Sequence, residues 1–128
     1  MNNYLIDSDV LVEYLRGNKS LVEQILDSNI SVITYGEVLY GEYKFVRGSN
    51  AFEFVSDFVH NFNITIIDIN KDIVNKFVEI KVGLEKSGKK LEDFDIFIVA
   101  TALEHGLTLV TNNKKHFSRV ENIQVLDV

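Results

Sequence analysis

Tyr4-Leu5-Ile6-Asp7-Ser8-Asp9-Val10-Leu11-Val12-Glu13-Tyr14-Leu15-Arg16-Gly17 opens the chain and decides its fold class. Tyr4–Ile6 is an unbroken apolar run, the pattern of a strand covered on both faces rather than one. Two acids and a serine follow it. Val10, Leu11, Tyr14 and Leu15 then recur at helical spacing until Arg16-Gly17-Asn18 stops them. A buried strand feeding through a polar turn into an amphipathic helix is the repeating unit of an α/β protein.

The same alternation continues outward. Further apolar runs at Ile30–Ile33, Thr65–Ile69, Leu107–Val110 and Ile123–Leu126 predict four more strands. Leu21, Val22, Ile25 and Leu26 predict a second helix, opened by Lys19 or Ser20. Phe52, Val55, Val59 and Phe62 form one helical stripe, and Ile73, Phe77, Ile80 and Leu84 another behind Asn70 as N-cap. A helix beginning near Asp95 carries Ile96, Val99, Ala100 and Leu103 inward, and Gly106 is placed to end it in the left-handed C′ position. The expected architecture is a three-layer α/β/α sandwich around a central, mostly parallel five-stranded sheet, forming a single domain over residues 1–128. The nine Phe and five Tyr fall mostly on helix stripes and read as core.

Composition narrows the function. A chain of 128 residues with 46% hydrophobic and 25% charged residues suits one compact domain with a sizeable core and excludes a disordered chain. The absence of cysteine excludes disulfides, thiolate zinc sites and cysteine nucleophiles, and fits a reducing compartment. MNNYLID has no basic flank before an apolar core, and no apolar run approaches the roughly 20 residues that span a bilayer. A cytoplasmic protein without a membrane partner is expected. A net charge of -6 argues against a broad basic surface for nucleic acid. It leaves room for a cation-dependent nuclease, whose carboxylates are themselves a source of negative charge. Lys86, Lys89 and Lys90 form one basic group and Lys114, Lys115, His116 and Arg119 another. Both read as solvated surface charge unless they flank an acidic site.

Ligands in open parallel sheets sit beyond the carboxyl ends of the strands. Asp7-Ser8-Asp9 follows the first strand, Thr34-Tyr35-Gly36-Glu37 the second, and Thr111-Asn112-Asn113 the strand at Leu107–Val110. The helix that feeds this last strand starts on the same edge, carrying Asp93 and Asp95. Each residue also has an ordinary structural use. Thr34 and Glu37 fit a capping box, Asp7 or Ser8 and Asp93 or Asp95 fit helix caps, and Asn113 fits a turn. Carboxylates gathered on one edge nevertheless repel unless a cation or proton intervenes. Oxygen donors without nearby thiolate or imidazole suit Mg²⁺ or Mn²⁺ rather than zinc, and such an ion can activate water against a phosphodiester. His60, His105 and His116 show no spacing that pairs them with each other or with a serine. Phosphate-loop and dinucleotide glycine patterns are absent from the sequence.

Four segments together resemble the PIN-domain toxins of the VapC family, nearly end to end. Tyr4 to Gly17 is similar to that family's first motif, and Ser31-Val32-Ile33-Thr34-Tyr35-Gly36-Glu37-Val38-Leu39-Tyr40-Gly41 to the second, its glutamate falling on Glu37. Asp95-Ile96-Phe97-Ile98-Val99-Ala100-Thr101-Ala102 resembles the third, with its aspartate on Asp95. Leu109-Val110-Thr111-Asn112-Asn113-Lys114-Lys115-His116-Phe117 resembles the fourth, with Asn113 where members carry Asp or Asn. The resemblance implies the PIN sandwich and an Mg²⁺- or Mn²⁺-dependent endoribonuclease. It implies a toxin neutralised by a cognate antitoxin, and a homodimer. Asp7 and Asp95 would be the principal metal ligands, with Glu37 and Asn113 completing the pocket, and Ser8 and Thr111 orienting water or phosphate. Lys90, Lys114 and Lys115 are candidate contacts to RNA phosphates. Asn113 in place of Asp lowers the pocket charge and leaves one or two metals open. Three rival readings stand beside this one: an Asp-x-Asp phosphatase of haloacid-dehalogenase type using Asp7 and Asp9, a receiver-like binding module, and a catalytically inactive PIN fold.

Overall fold

The computed structural model describes residues 2–128. Five short strands, β1 (Tyr4–Ile6), β2 (Asn29–Ser31), β3 (Thr65–Ile67), β4 (Thr108–Thr111) and β5 (Val125–Asp127), form one sheet in the order β3-β2-β1-β4-β5. Every pairing is parallel, with Leu5 opposite both Asn29 and Leu109. The helices are α1 (Ser8–Leu15), α2 (Val22–Ile25), α3 (Val32–Glu42), α4 (Ala51–Asn61), α5 (Lys71–Lys86), α6 (Asp93–His105) and α7 (Lys114–Phe117).

Alternation along each strand builds two cores. Ile6, Ile30, Ile66, Val110 and Leu126 face one side with Val10 and Leu11 of α1, Ile25 of α2 and Val55 of α4. Leu5, Ile67, Leu109 and Val125 face the other, with Leu84 of α5, Ile96, Val99 and Ala102 of α6, and Phe117 of α7. These are the three layers expected. Each fully buried aliphatic contributes about 1.5–3 kcal/mol, so neither face of the sheet can be exposed without a large loss.

The chain steps from β1 to β2 to β3 in one direction, then returns through α5 and α6 to β4 on the other side of β1. Right-handed crossovers put helices on opposite faces when the stepping direction reverses. The reversal lies between β1 and β4, where open α/β sheets leave a crevice. The residues that follow these two strands, Asp7 and Asn112-Asn113, border it.

Local signals explain most boundaries. The Asn70 side chain accepts from Ile73 N–H at 3.0 Å, and Gly106 adopts φ 63°, ψ 36°, both as expected. The second helix is reduced to a 3₁₀ turn (Lys19–Leu21) and the single turn α2. It is capped by Asn18, which accepts from Ser20 N–H at 3.3 Å, rather than by Lys19 or Ser20. The second strand is shorter than expected because the Ser31 side chain accepts from Ile33 N–H at 3.1 Å and starts α3 at Val32. Thr34 therefore lies inside the helix, buried, with its hydroxyl unpartnered, and the capping box expected of Thr34 and Glu37 does not form. The aromatics divide. Tyr14, Phe58 and Phe62 pack together and Phe77 stacks on Phe97 at 4.0 Å, whereas Tyr40, Tyr43, Phe45, Phe52 and Phe94 are exposed. Beyond α3 a π turn (Tyr43–Arg47) is tied back by Glu42, only 1% exposed, which accepts from Arg16 at 2.6 Å and Arg47 at 3.1 Å.

Candidate metal centre

Asp7 leaves β1 as the N-cap of α1. Its Oδ1 accepts from Ser8 N–H at 2.9 Å, and its Oδ2 accepts from the Thr111 hydroxyl at 2.9 Å. Thr111 ends β4, directly across the crevice, and its Oγ1 accepts in turn from Asn113 N–H at 3.0 Å. Asp7 is thus both the helix cap and a buried acid, 5% exposed. Burial pushes its carboxyl up from an ordinary 3.8 to about 6, opposed by the Thr111 and Ser8 hydrogen bonds and reinforced by the charges of Asp9 and Asp95.

Glu37 reaches this group from the second turn of α3. Burial raises its pKa as well, the Ser8 side chain offsets part of the rise, and the charges of Asp7, Asp95 and Asp9 add to it. Its Oε1 is buried with no hydrogen-bond partner. Asp95 comes from the first turn of α6, half-buried, and its Oδ2 lies 3.0 Å from His116 Nε2. Asp7, Glu37 and Asp95, some 30 to 90 residues apart in sequence, are therefore brought into mutual electrostatic range, with Asp9 at the margin.

The remaining expected residues divide. The hydroxyl of Thr111 is committed to Asp7, so it holds the carboxylate. The Asn113 side chain is exposed and makes no hydrogen bond among the described residues; only its backbone takes part. Lys114 and Lys115 are exposed at the start of α7. Lys90 is exposed between α5 and α6, and its carbonyl accepts from Arg119 at 2.7 Å. His116 is the residue that spacing along the chain did not reveal. Its signal was position alone: it lies three residues beyond Asn113, on the helical turn that follows β4.

An oxygen-rich donor set with a buried unpartnered Glu37 Oε1, and with Asp7 and Glu37 raised chiefly by burial and further by neighbouring carboxylates, fits a hard divalent cation. Among the described residues no three His, Asp or Glu side chains already close around a common point. Residues 4–123 match the PIN-domain family model. The chain belongs to the PIN-domain family. Over 91% of its length this PIN domain is 32% identical to Ribonuclease VapC1 of Methanocaldococcus jannaschii, covering 80% of that protein. It is 30% identical to Ribonuclease VapC2 of Haemophilus influenzae over 94% of this chain and 93% of that one. Among solved structures, DNA-bound VapBC from Salmonella typhimurium superposes with a TM-score of 0.86 at 22% identity, covering 99% of this chain and 98% of that one. This PIN domain is homologous to the VapC ribonuclease toxins of VapBC toxin–antitoxin systems.

Proposed function

We propose that this PIN domain is an Mg²⁺- or Mn²⁺-dependent endoribonuclease, the toxin of a toxin–antitoxin pair. The observation that carries the reading is the buried acidic group at the β1/β4 crevice, with Asp7 raised to about 6 and Glu37 Oε1 unpartnered. Asp7, Glu37 and Asp95 would hold the ion. Bound there, it would supply a water of lowered pKa and positive charge opposite the phosphate. The chain's own contribution is positional. Thr111 and Ser8 fix the Asp7 carboxylate, and Lys114 and Lys115, beside Asn113, would meet the phosphates flanking the cut bond.

The names of the relatives support the RNA substrate, and solved neighbours described as VapBC or as a toxin–antitoxin complex support an antitoxin partner. The exposed aromatics Tyr40, Tyr43, Phe45 and Phe52 offer an apolar face of the kind such a partner covers. Val74, Val78 and Val82 line up at four-residue spacing on the outside of α5 and support a second copy of the chain. The strand order β3-β2-β1-β4-β5 differs from the 2-1-3-4-5 order of receiver domains and removes that rival. No helix among the described residues is long and apolar enough to cross a membrane.

The test is cleavage of RNA by the purified chain. Cutting should require Mg²⁺ or Mn²⁺, stop with EDTA and disappear in Asp95→Asn. Hydrolysis of a small phosphomonoester with none of RNA would favour the phosphatase reading. A PIN domain that binds Mn²⁺ and RNA but cuts nothing would be the inactive alternative.

A further inference from the structure

We infer that His116 is a positioning residue for Asp95: it donates Nε2–H to Oδ2 and thereby presents Oδ1 to a divalent cation. The inference rests on the metal reading above and adds a residue to it. An ionised carboxylate only accepts, so the 3.0 Å contact between Nε2 and Asp95 Oδ2 is a hydrogen bond donated by the imidazole. Asp95 Oδ1 has no donor among the described residues. The ring is itself held. It meets Phe117 edge-on at 5.1 Å, Phe117 is 2% exposed in the core beneath α6, and the backbone N–H of His116 donates to the Asn113 carbonyl at 3.1 Å.

The arrangement repeats what Thr111 does for Asp7. Thr111 donates to Asp7 Oδ2 at 2.9 Å and His116 to Asp95 Oδ2 at 3.0 Å, both from the six-residue stretch that leaves β4. Asp7 follows β1 and Asp95 lies on α6, elements that reach the crevice independently. One short segment therefore sets the orientation of both carboxylates. Hydrogen bonds of this kind fix a ligand's geometry before the ion arrives, and losing one lowers metal affinity about 10–100-fold.

Mn²⁺ binding to the full chain, measured by calorimetry, tests the inference with three variants. His116→Phe keeps the ring's bulk without the donor and should bind Mn²⁺ about 10–100-fold more weakly, whereas His116→Gln, whose amide nitrogen falls near Nε2, should stay within about threefold of wild type. Both should melt with wild type when metal is absent. Electron spin-echo spectra of the Mn²⁺-bound wild type should show no imidazole nitrogen coupling. Wild-type affinity in His116→Phe, equal losses in both variants, or a directly coordinated nitrogen would each overturn the inference. Asp7→Asn separates the two levels. If wild type and Asp7→Asn bind Mn²⁺ alike, the metal site itself is misplaced, and the role of His116 falls with it.

Discussion

Replacing Asp7 by Asn should stabilise the metal-free protein at neutral pH while abolishing RNA cleavage. In the folded chain burial raises the Asp7 carboxyl to about 6, against 3.8 for an unperturbed side chain. The folded state holds that proton more tightly than the unfolded state. Its contribution to stability is fully present below pH 3.8 and is lost as pH rises through about 6. At roughly 1.4 kcal/mol per pH unit separating the two values, the ionised carboxylate costs up to about 3 kcal/mol above pH 7. The amide of Asp7→Asn removes this charge and can keep the Ser8 N–H bond through its carbonyl oxygen. Its NH₂ then faces the Thr111 hydroxyl, which already accepts from Asn113 N–H, so the hydroxyl proton loses its acceptor at a cost of about 1 kcal/mol.

The net gain is about 2 kcal/mol, or roughly 6–10 °C in Tm for a domain of this size. Calorimetric melts in EDTA at pH 7.5 and pH 4.0 measure it. At pH 4.0 the advantage should vanish, because the wild-type carboxyl is then protonated in the folded state. Saturating Mn²⁺ at pH 7.5 should reverse the order, since only the wild type retains the ligand. An Asp7→Asn protein that melts below wild type at pH 7.5 without metal would refute the reasoning. So would a difference that does not change with pH.

Three further outcomes follow from the same structure. Lys114→Ala/Lys115→Ala should raise the KM for RNA about tenfold with kcat little changed, and should lower the salt dependence of RNA binding by about 1.4 in log–log slope. Anisotropy titrations in an Asp95→Asn background, where RNA survives, read that slope; an unchanged slope would place both lysines away from the phosphates. Glu42→Ala should cost about 3 kcal/mol in urea unfolding, because it strips the shared partner from Arg16 and Arg47 and empties a buried position. Arg16→Ala alone should cost less, since Arg47 still neutralises Glu42.

Much of this protein is legible in its sequence, and for a local reason. Apolar runs such as Tyr4–Ile6 need cover on both faces wherever they fold, and the spacing of Ile73, Phe77, Ile80 and Leu84 imposes one inward face on α5. From these alone come the layers, the parallel sheet and the common edge that receives Asp7, Glu37 and Asp95. Boundaries set by competing caps are harder to read. The sequence offers Thr34 as the start of α3, whereas the Ser31 side chain caps it three residues earlier, and Glu37 lies in the second turn beside Asp7 and Asp95 instead of in a capping box.

Tertiary structure alone decided the chemistry of each acid. The rise of Asp7 to about 6 comes from its burial in the crevice, and it is held in check by the hydrogen bond from Thr111, 104 residues away. Phe52 is exposed while Val55, on the same predicted stripe, is buried in the core that α4 shares with α1 and β1. The contact between His116 and Asp95 has no counterpart in spacing along the chain, because α7 and α6 meet only through the return of the chain across the sheet. Residue identities determine which groups can ionise, donate or accept. Desolvation and partner geometry, which act through space, determine which of them do.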